Sequence, residues 1–323
     1  MTVALKVDVD TLRGTREGVP RLLQLFDEYQ VRATFLFSLG PDHTGRAIWR
    51  VFRPGFLAKV QRTSVTSHYG LKTLLYGTLL PGPDIARRCG EIMRACAAAG
   101  HEVGVHVYDH IKWQDQVARR GADWTWREMQ NATQAFERVF ATTPKVHGAA
   151  GWQVNPHALD FEQGLGFDYA SDTRGQHPFY PVLEGVRSAC PQLPTTLPTL
   201  DELIGRDGIT ASNVHESVLA ASQDSLPQGH VYTLHAELEG MRLLPVMRNL
   251  LDQWRASGVY VGPLRSVYES LDLGRLPTHR VEWGTVPGRS GRLALQGAVF
   301  RVQGADRNPE LPHPELRTPN PET

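Results

Sequence analysis

Hydrophobic and polar positions along the chain predict strands and helices in alternation. In residues 4–11, valines alternate with Asp8 and Asp10, and a strand period of two puts both carboxylates on one face. Residues 20–29 carry an apolar face at helical spacing, and residues 33–38 form a short apolar run typical of a buried strand. Strand, helix and strand at this spacing predict a parallel β/α unit.

The alternation resumes after an interruption at residues 39–84. Further helices are predicted at 85–99, 124–140, 213–222 and 243–256, and further strands at 102–105, 145–148, 168–172, 230–234 and 259–261. Residues 12–20 are rich in Gly and Arg and are predicted to form a loop. The pattern favours an α/β fold with about seven parallel strands.

Length and pattern divide the chain into one α/β domain and an extension. The 323 residues and 36.0 kDa are enough for one large domain with a full core. We assign this domain to residues 1–275, with an insertion at 41–83, and the extension to residues 276–323. The extension carries one isolated predicted strand at 293–302, and its proline-rich, acidic end from residue 308 is predicted to be disordered.

The charge balance argues against a general nucleic-acid binder, which would be strongly basic. Lys and Arg number 34, as do Asp and Glu, and the sequence pI is near 7.2. The three cysteines form no Cys-x-x-Cys pattern, and such a sparse, odd set is typical of a reducing compartment. The sequence shows neither a signal-peptide pattern nor an apolar run of about 18 residues. We therefore predict a cytoplasmic protein that does not span a membrane.

Two pairs of polar side chains are the candidates for chemistry. Asp8 and Asp10 end the first strand, where paired buried carboxylates are costly unless they bind something such as a divalent cation. The alternative is an edge strand with a solvated acidic face. His106 and His110 lie four apart beyond the strand at 102–105. If the chain is helical there, both imidazoles share one face and can reach the same metal ion.

The acidic pair and the His-x-x-x-His spacing resemble the first two motifs of the polysaccharide deacetylases, carbohydrate esterase family 4. The resemblance runs over residues 4–271. Finer features are similar to one branch of that family, which removes a formyl group from a lipid-linked amino sugar. The blocks that carry this similarity are Val-Asp-Val-Asp-Thr-Leu-Arg-Gly-Thr (7–15), Gly-Ala-Ala-Gly-Trp (148–152), Ser-Asp-Thr-Arg-Gly (171–175), Pro-Thr-Leu-Asp-Glu-Leu-Ile-Gly (198–205) and Tyr-Thr-Leu-His-Ala-Glu (232–237).

The resemblance implies a distorted (β/α) barrel of about seven parallel strands, with which the predicted strands agree. It also implies a metal-dependent amide hydrolase. In the branch described above, the substrate is undecaprenyl-phosphate-linked 4-deoxy-4-formamido-L-arabinose. The products are formate and the 4-amino sugar lipid, which serves lipid A modification and resistance to cationic antimicrobial peptides such as polymyxin.

Two other functions stay open at this point. One is an N-deacetylase that acts on an N-acetylated glycan such as chitin or peptidoglycan, although such enzymes usually act outside the cytoplasm. The other is a catalytically silent homologue that only binds sugar. A silent homologue is expected to lack a metal ligand, the base or the acid, and none of these is missing from the sequence.

The resemblance also assigns roles residue by residue. Asp10, His106 and His110 match the ligands of a divalent metal ion, and this ligand set does not choose between zinc, manganese and cobalt. Asp8 matches the general base, which takes a proton from the attacking water. His235 matches the general acid, which protonates the leaving amine.

Four further residues have predicted roles around these five. Asp172 would orient His235. Most of the family carries an arginine in its third motif, braced against the base, and residues 147–152 contain none. Arg174 is expected to fill that role, with an ordinary surface ion pair as the alternative. Trp152 would stack on a sugar or pack in the core, and Glu237 would bind the ammonium group of the product or be solvated.

The insertion carries a local positive charge that the neutral total hides. Residues 43–83 contain no Asp or Glu. Basic and apolar side chains are interleaved there, as in elements that bind a membrane surface. We expect contact with an anionic membrane through Arg46, Trp49, Arg50 and Arg53; the alternative is an excursion packed on the protein. The expected partners are thus an anionic membrane surface and the polyprenyl-phosphate-linked sugar. No nucleic acid or protein partner is indicated.

Overall fold

The structure of the chain, a computed structural model, describes residues 1–47 and 73–300. Seven parallel strands form its main sheet, in the spatial order β5-β4-β3-β2-β1-β8, with β9 also paired to β1. The strands are β1 (Thr2–Val9), β2 (Thr34–Ser38), β3 (Glu102–Val107), β4 (Val146–His147), β5 (Tyr169–Ala170), β8 (His230–His235) and β9 (Tyr260–Pro263). The sheet is a half-barrel, which confirms the predicted α/β fold of parallel strands.

Helices follow the strands along the chain, as a β/α pattern requires. They are α1 (Val19–Tyr29), α2 (Ile85–Ala98), α3 (His110–Gln116), α4 (Ala122–Phe140), α5 (Pro156–Gly164), α6 (Leu200–Leu203), α7 (Val214–Ala221), α8 (Leu244–Ala256) and α9 (Leu264–Glu269). Their apolar faces and the sheet form one continuous core, in which Phe26, Phe35 and Trp254 are almost fully buried. In the described parts of the chain, no helix has both the length and the apolar character needed to cross a bilayer.

Strand β1 is the centre of the sheet. Its second half, from Lys6 to Val9, pairs with β2, whereas its first half pairs with β9. On the other side, β8 pairs with β1 from Val3 to Asp8. Every residue from Val3 to Val9 is buried, so the alternative of an edge strand with a solvated acidic face is wrong.

The prediction of a loop at residues 12–20 is wrong, because a helical turn at Gly14–Gly18 runs directly into α1. Thr11 starts this turn: its side-chain oxygen accepts from Gly14 N at 2.9 Å, and its carbonyl accepts from Thr15 N at 3.0 Å. Gly18 lies so close to the segment after β8 that an added Cβ would be 2.0 Å from Ala236 O. This glycine serves close packing and does not mark a loop.

A second, smaller sheet has the order β11-β10-β6-β7. It consists of β6 (Tyr180–Leu183), β7 (Val186–Arg187), β10 (Thr278–Gly284) and β11 (Leu293–Val299). The strand predicted near residue 293 therefore exists and pairs with β10, which in turn pairs with β6. The predicted disorder from residue 308 lies outside the described residues.

We propose that the hairpin of β10 and β11 is part of the folded domain, although the sequence pattern ends near residue 275. Arg174 N donates to Ala294 O at 3.0 Å, and Gln153 Nε2 donates to Arg292 O at 2.7 Å. Arg289, in the turn between the two strands, pairs with the buried Glu202 at 3.0 Å. The hairpin thus covers residues that belong to the half-barrel.

This arrangement predicts different outcomes for two truncations. Removal of residues 278–323 should lower the melting temperature by several degrees, at about 2–4 °C for each kcal/mol lost, because β6 and Glu202 lose partners. Removal of residues 301–323 alone is the matched control and should change little. Equal melting temperatures for the two variants, measured by circular dichroism, would contradict the assignment of the hairpin to the domain.

Candidate metal centre and active site

Three side chains converge at the carboxyl ends of β1 and β3. Asp10 follows β1, His106 lies within β3, and His110 is the first residue of α3. His106 Nε2 is 3.3 Å from Asp10 Oδ1, and His110 Nε2 is 3.4 Å from Asp10 Oδ2. The three ligand atoms all lie within 4.8 Å of one another, which is close enough to hold one metal ion.

The chain is not helical at His106, so the two imidazoles do not converge through a shared helical face. Strand β3 continues to Val107, and α3 begins only at His110 because Asp109 caps it, accepting from Lys112 N at 3.1 Å. The second Asp109 oxygen is 2.6 Å from His43 Nδ1. The convergence of the two imidazoles therefore depends on a strand end and a capped helix start.

The electrostatics of Asp10 fit a metal ligand. Burial favours its neutral form, but His110, His106 and His235 outweigh burial and lower the pKa of Asp10 well below its usual range. Oδ1 of Asp8 and Oδ1 of Asp10 are buried, and neither has a hydrogen-bond partner among the described residues. Such unpaired carboxylate oxygens are costly, and a bound cation would satisfy them.

Backbone contacts hold the candidate ligands in place. His106 Nδ1 donates to Gly148 O at 2.6 Å, which leaves Nε2 as the atom that faces Asp10. Glu237 Oε1 accepts from Asp10 N at 3.1 Å, Thr11 N at 2.9 Å and Thr11 Oγ1 at 2.8 Å. Glu237 is buried, so the solvated alternative is wrong, and its contact with a product ammonium group stays a prediction.

Asp8 and His235 lie side by side next to these ligands. The pairing of β8 with β1 puts His235 in register with Asp8. Asp8 is only 4% exposed, with Oδ1 3.9 Å from His106 Nδ1. The backbone N–H of His235 donates to Glu239 Oε2 at 2.9 Å, while its side-chain Nδ1 has no hydrogen-bond partner within the described ranges. The candidate base and acid are therefore adjacent.

Asp172 does not form the expected pair with His235. Its carboxylate accepts from Ala149 N at 2.6 Å and Gln192 Nε2 at 2.8 Å, and it is 3.2 Å from His147 Nδ1. Asp172 follows β5 and His235 ends β8, and these two strands are not paired with each other in the sheet. The sequence could not show this, because both residues lie at strand ends and the order of the strands is not written in their spacing.

His147, Glu162 and Asp172 form a second buried cluster. His147 Nδ1 is 2.8 Å from Glu162 Oε1. Burial alone would lower the pKa of His147, but Asp172 and Glu162 outweigh burial and raise the pKa to about 10. His147 Nδ1 lies within hydrogen-bond distance of Glu162. The carboxylate oxygens of Glu162 and Asp172 accept from Gln192 Nε2, and Asp172 also accepts from Ala149 N. This cluster holds the segment that carries Gly148, the acceptor for His106.

Arg174 takes no part in a pair with Asp172 or Asp8. Its guanidinium binds Glu202 and donates to Leu197 O at 3.0 Å, and it lies 5.0 Å from the Trp152 ring. The surface-pair alternative is also wrong, since the side chain is buried to about nine-tenths (11% exposed).

Trp152 packs inside the protein. The residue is only 2% exposed, its Nε1 donates to Thr195 Oγ1 at 3.2 Å, and Arg289 lies 4.6 Å from its ring on the hairpin side. The core alternative for Trp152 is therefore the one that the structure supports.

Sequence reasoning missed Lys6. Its Nζ lies 3.7 Å from Asp8 Oδ2, and its side chain is fully buried. The available signal was its position: Lys6 is two residues before Asp8, and a strand period of two puts both on one face.

Of the four predicted membrane contacts, Arg46 is exposed, and its Nε donates to Gly77 O at 3.0 Å. Trp49, Arg50 and Arg53 lie outside the described residues.

Comparison with known proteins gives sequence similarity over nearly the whole chain. Residues 2–170 match the profile of the family described as Polysaccharide deacetylase. A Shewanella sediminis protein named "Probable 4-deoxy-4-formamido-L-arabinose-phosphoundecaprenol deformylase" is 36% identical over 93% of this chain and 96% of its own length. A protein of the same name from Wigglesworthia glossinidia brevipalpis is 29% identical over 89% of this chain and 100% of its own length.

Solved structures show the same fold at lower identity. A Mycobacterium smegmatis structure described as a polysaccharide deacetylase aligns with a TM-score of 0.62 and 19% identity, over 88% of this chain and 94% of that one. A peptidoglycan N-acetylglucosamine deacetylase aligns with a TM-score of 0.51 and 17% identity, over 84% of this chain and 89% of that one.

The geometry predicts that His106→Ala loses bound divalent metal, because the remaining two side chains leave the ion with fewer protein ligands than catalytic sites usually have. Metal content is measured by inductively coupled plasma mass spectrometry on the purified protein. His157→Ala, in helix α5 and outside this group of ligands, is the matched control and should keep the wild-type content. A His106→Ala protein with full metal content would sink the assignment.

Proposed function

Because the chain belongs to the polysaccharide deacetylase family and is a hydrolase of amide bonds, we propose that it removes the formyl group from undecaprenyl-phosphate-linked 4-deoxy-4-formamido-L-arabinose. The observation that carries this proposal is the 36% identity, over almost the full length of both chains, to a protein named for that reaction. The products would be formate and the lipid-linked 4-amino sugar, for lipid A modification and polymyxin resistance.

The proposed mechanism assigns one task to each side chain of the site. Asp10, His106 and His110 would hold a divalent ion, which acts as a Lewis acid and activates water when bound. Asp8 accepts the proton of the attacking water, and the nucleophile adds to the formyl carbon. His235 then donates a proton to the departing nitrogen, so that the C–N bond breaks and the amine leaves neutral. The register of β8 with β1, in which His235 is the partner of Asp8, supports this pairing of an acid with a base.

The ligand set leaves the choice among zinc, manganese and cobalt to experiment. One carboxylate and two imidazoles suit each of these ions. Both oxygens of Asp10 face histidine nitrogens at 3.3 and 3.4 Å. A divalent ion that replaced these close contacts would bring the three side chains into one coordination shell.

We further propose that the protein works at the inner face of the cytoplasmic membrane. In the described part of the insertion, Leu79 is 80% exposed, and Leu75 and Leu80 are each 37% exposed. Arg46 is exposed nearby and is tied to the same turn through Gly77 O. Exposed leucines beside a basic side chain suit the surface of an anionic bilayer, where a polyprenyl-linked headgroup is found.

The direct test of the activity is mass spectrometry of formate released from synthetic formamido-arabinose phosphopolyprenol. Asp8→Asn should keep bound metal and lose about 10²–10⁴-fold in kcat, the range typical of general acid–base catalysis. His235→Ala should lose kcat through poorer protonation of the leaving amine. A variant with near wild-type kcat would remove its residue from the proposed mechanism.

An acetamido analogue in parallel separates the proposed activity from N-deacetylation. Formyl lacks the methyl group of acetyl, and overpacking in a tight site costs about 1–3 kcal/mol, or about tenfold to over a hundredfold in rate. We therefore expect kcat/KM to be about tenfold to over a hundredfold higher for the formamido substrate than for the acetamido analogue. A preference for the acetamido substrate would support the deacetylase alternative.

Membrane binding is tested by sedimentation with vesicles that contain anionic lipid, at low and high salt. A variant lacking the Arg46, Trp49, Arg50 and Arg53 side chains should pellet less than wild type, and so should Leu79→Ser. Leu273→Ser, at an exposed leucine outside the insertion, is the matched control. The binding should weaken as salt rises, because each basic side chain contributes up to about 1 kcal/mol of screened attraction. Equal pelleting of all variants would exclude the insertion as the contact.

A further inference from the structure

Lys6 is a fully buried cation in the middle of β1. Its relative exposure is 0%, and lysine is almost never buried to this extent unless its charge is paired. Two contacts hold its ammonium group: Nζ donates to Ser171 O at 2.7 Å and lies 3.7 Å from Asp8 Oδ2. The lysine therefore lies directly beside the candidate base.

The contact with Ser171 spans the concave side of the sheet. Ser171 follows β5 at one edge of the main sheet, whereas Lys6 belongs to β1, four strands away. Lys6 thus links the middle of β1 to the end of β5 through a single side chain. Its ammonium group also lies 5.6 Å from the centre of the Trp152 ring, which adds a favourable cation–π contact.

Gly148 provides the room for this side chain. An added Cβ at Gly148 would be 3.3 Å from Lys6 Cε, 3.4 Å from Lys6 Nζ and 2.4 Å from Leu36 Cδ1. The carbonyl of the same glycine accepts from His106 Nδ1 at 2.6 Å. One residue therefore limits the position of both the lysine and a candidate metal ligand.

The Asp8 carboxylate has few other partners. Oδ1 makes no hydrogen bond to any residue that the structure describes. The imidazole of His106 lies 3.9 Å from that oxygen, but its Nδ1 donates to Gly148 O instead. The ammonium group of Lys6 is thus the positive charge that holds the other oxygen of Asp8.

We propose that Lys6 is a positioning residue for the proposed reaction: its charge holds the Asp8 carboxylate at the angle from which it reaches the attacking water. This role rests on the proposed function, in which Asp8 is the base. A shift of about 1 Å in a catalytic group costs on the order of 10²-fold in rate, so the loss of one charged contact should be visible in kcat.

The test compares Lys6→Met, which keeps the length and removes the charge, with Lys6→Arg, which keeps the charge. Lys6→Met should lower kcat for the formamido substrate by about 10²-fold, with KM changed by less than about threefold and metal content unchanged. Lys6→Arg should recover at least about tenfold of that loss. Lys145→Met, at an exposed lysine, is the control and should match wild type.

Two outcomes would overturn the proposal. The first is a Lys6→Met protein with near wild-type kcat. The second is an equal loss in Lys6→Met and Lys6→Arg, since the charge would then not be the property that acts. If Lys6→Met does not fold, Lys6→Gln takes its place, because the glutamine amide can still donate to Ser171 O while it lacks the charge.

A double-mutant cycle with Asp8→Asn adds a second readout, urea unfolding, that needs no substrate. In kcat, Lys6→Met should add little to the loss already caused by Asp8→Asn, because both changes act on one interaction. In urea unfolding, Lys6→Met should shift the midpoint less in the Asp8→Asn protein than in wild type. If wild type releases no formate, the proposed function fails, while the unfolding cycle still decides whether Lys6 and Asp8 interact: additive midpoint shifts would show that they do not and would overturn the positioning role.

Discussion

The structure depends on the burial of ionisable side chains in β1 and directly after it. Removing a charged group from water costs several kcal/mol even after relaxation, and β1 brings Lys6, Asp8 and Asp10 together in this way. Lys6 pairs with Asp8 of the same strand and donates to Ser171 O, while Asp10 lies beside His106 and His110. Glu237 adds a further carboxyl, and its pKa is raised by burial first and then by Asp10. The site therefore concentrates acidic groups, as a centre that holds a divalent cation requires.

A single short segment, residues 147–149, connects the separate parts of this charge balance. His147 belongs to the buried cluster with Glu162 and Asp172, and Ala149 N donates to that same Asp172. Between them, Gly148 accepts from His106. The contacts of His147 and Ala149 fix the backbone at Gly148, which accepts from His106. The buried cluster therefore helps to orient His106, although it contains none of the candidate metal ligands. Preorganisation of this kind lowers the free-energy cost of arranging the ligand side chains when an ion binds.

The sequence predicted a strand at each position of the main sheet, from apolar runs such as those of β2 and β9 and from the alternation of β1. It predicted that Asp10, His106 and His110 come together, because two strong motifs carry them. It could not predict the partners of Asp172 and Arg174, which depend on the order of strands in the sheet. Lys6 was missed because a lysine between apolar residues is ordinarily read as surface. Of the hairpin, the sequence predicted β11 but not β10, whose support comes from β6, about 100 residues earlier in sequence.

The pairing of β1 has a consequence for biosynthesis. The first strand of the chain finds its neighbours at Val3↔His230 and Thr2↔Tyr260, so most of the domain must leave the ribosome before this strand can be completed. Contacts of such long sequence separation slow folding, because the loop-closing entropy is lost before the pairing is gained. The turn at Asp10 is itself held by Glu237. A nascent chain that has not yet exposed Glu237 therefore presents Asp10 without this hydrogen-bond partner, and the centre forms only after β8 and Glu237 have left the ribosome.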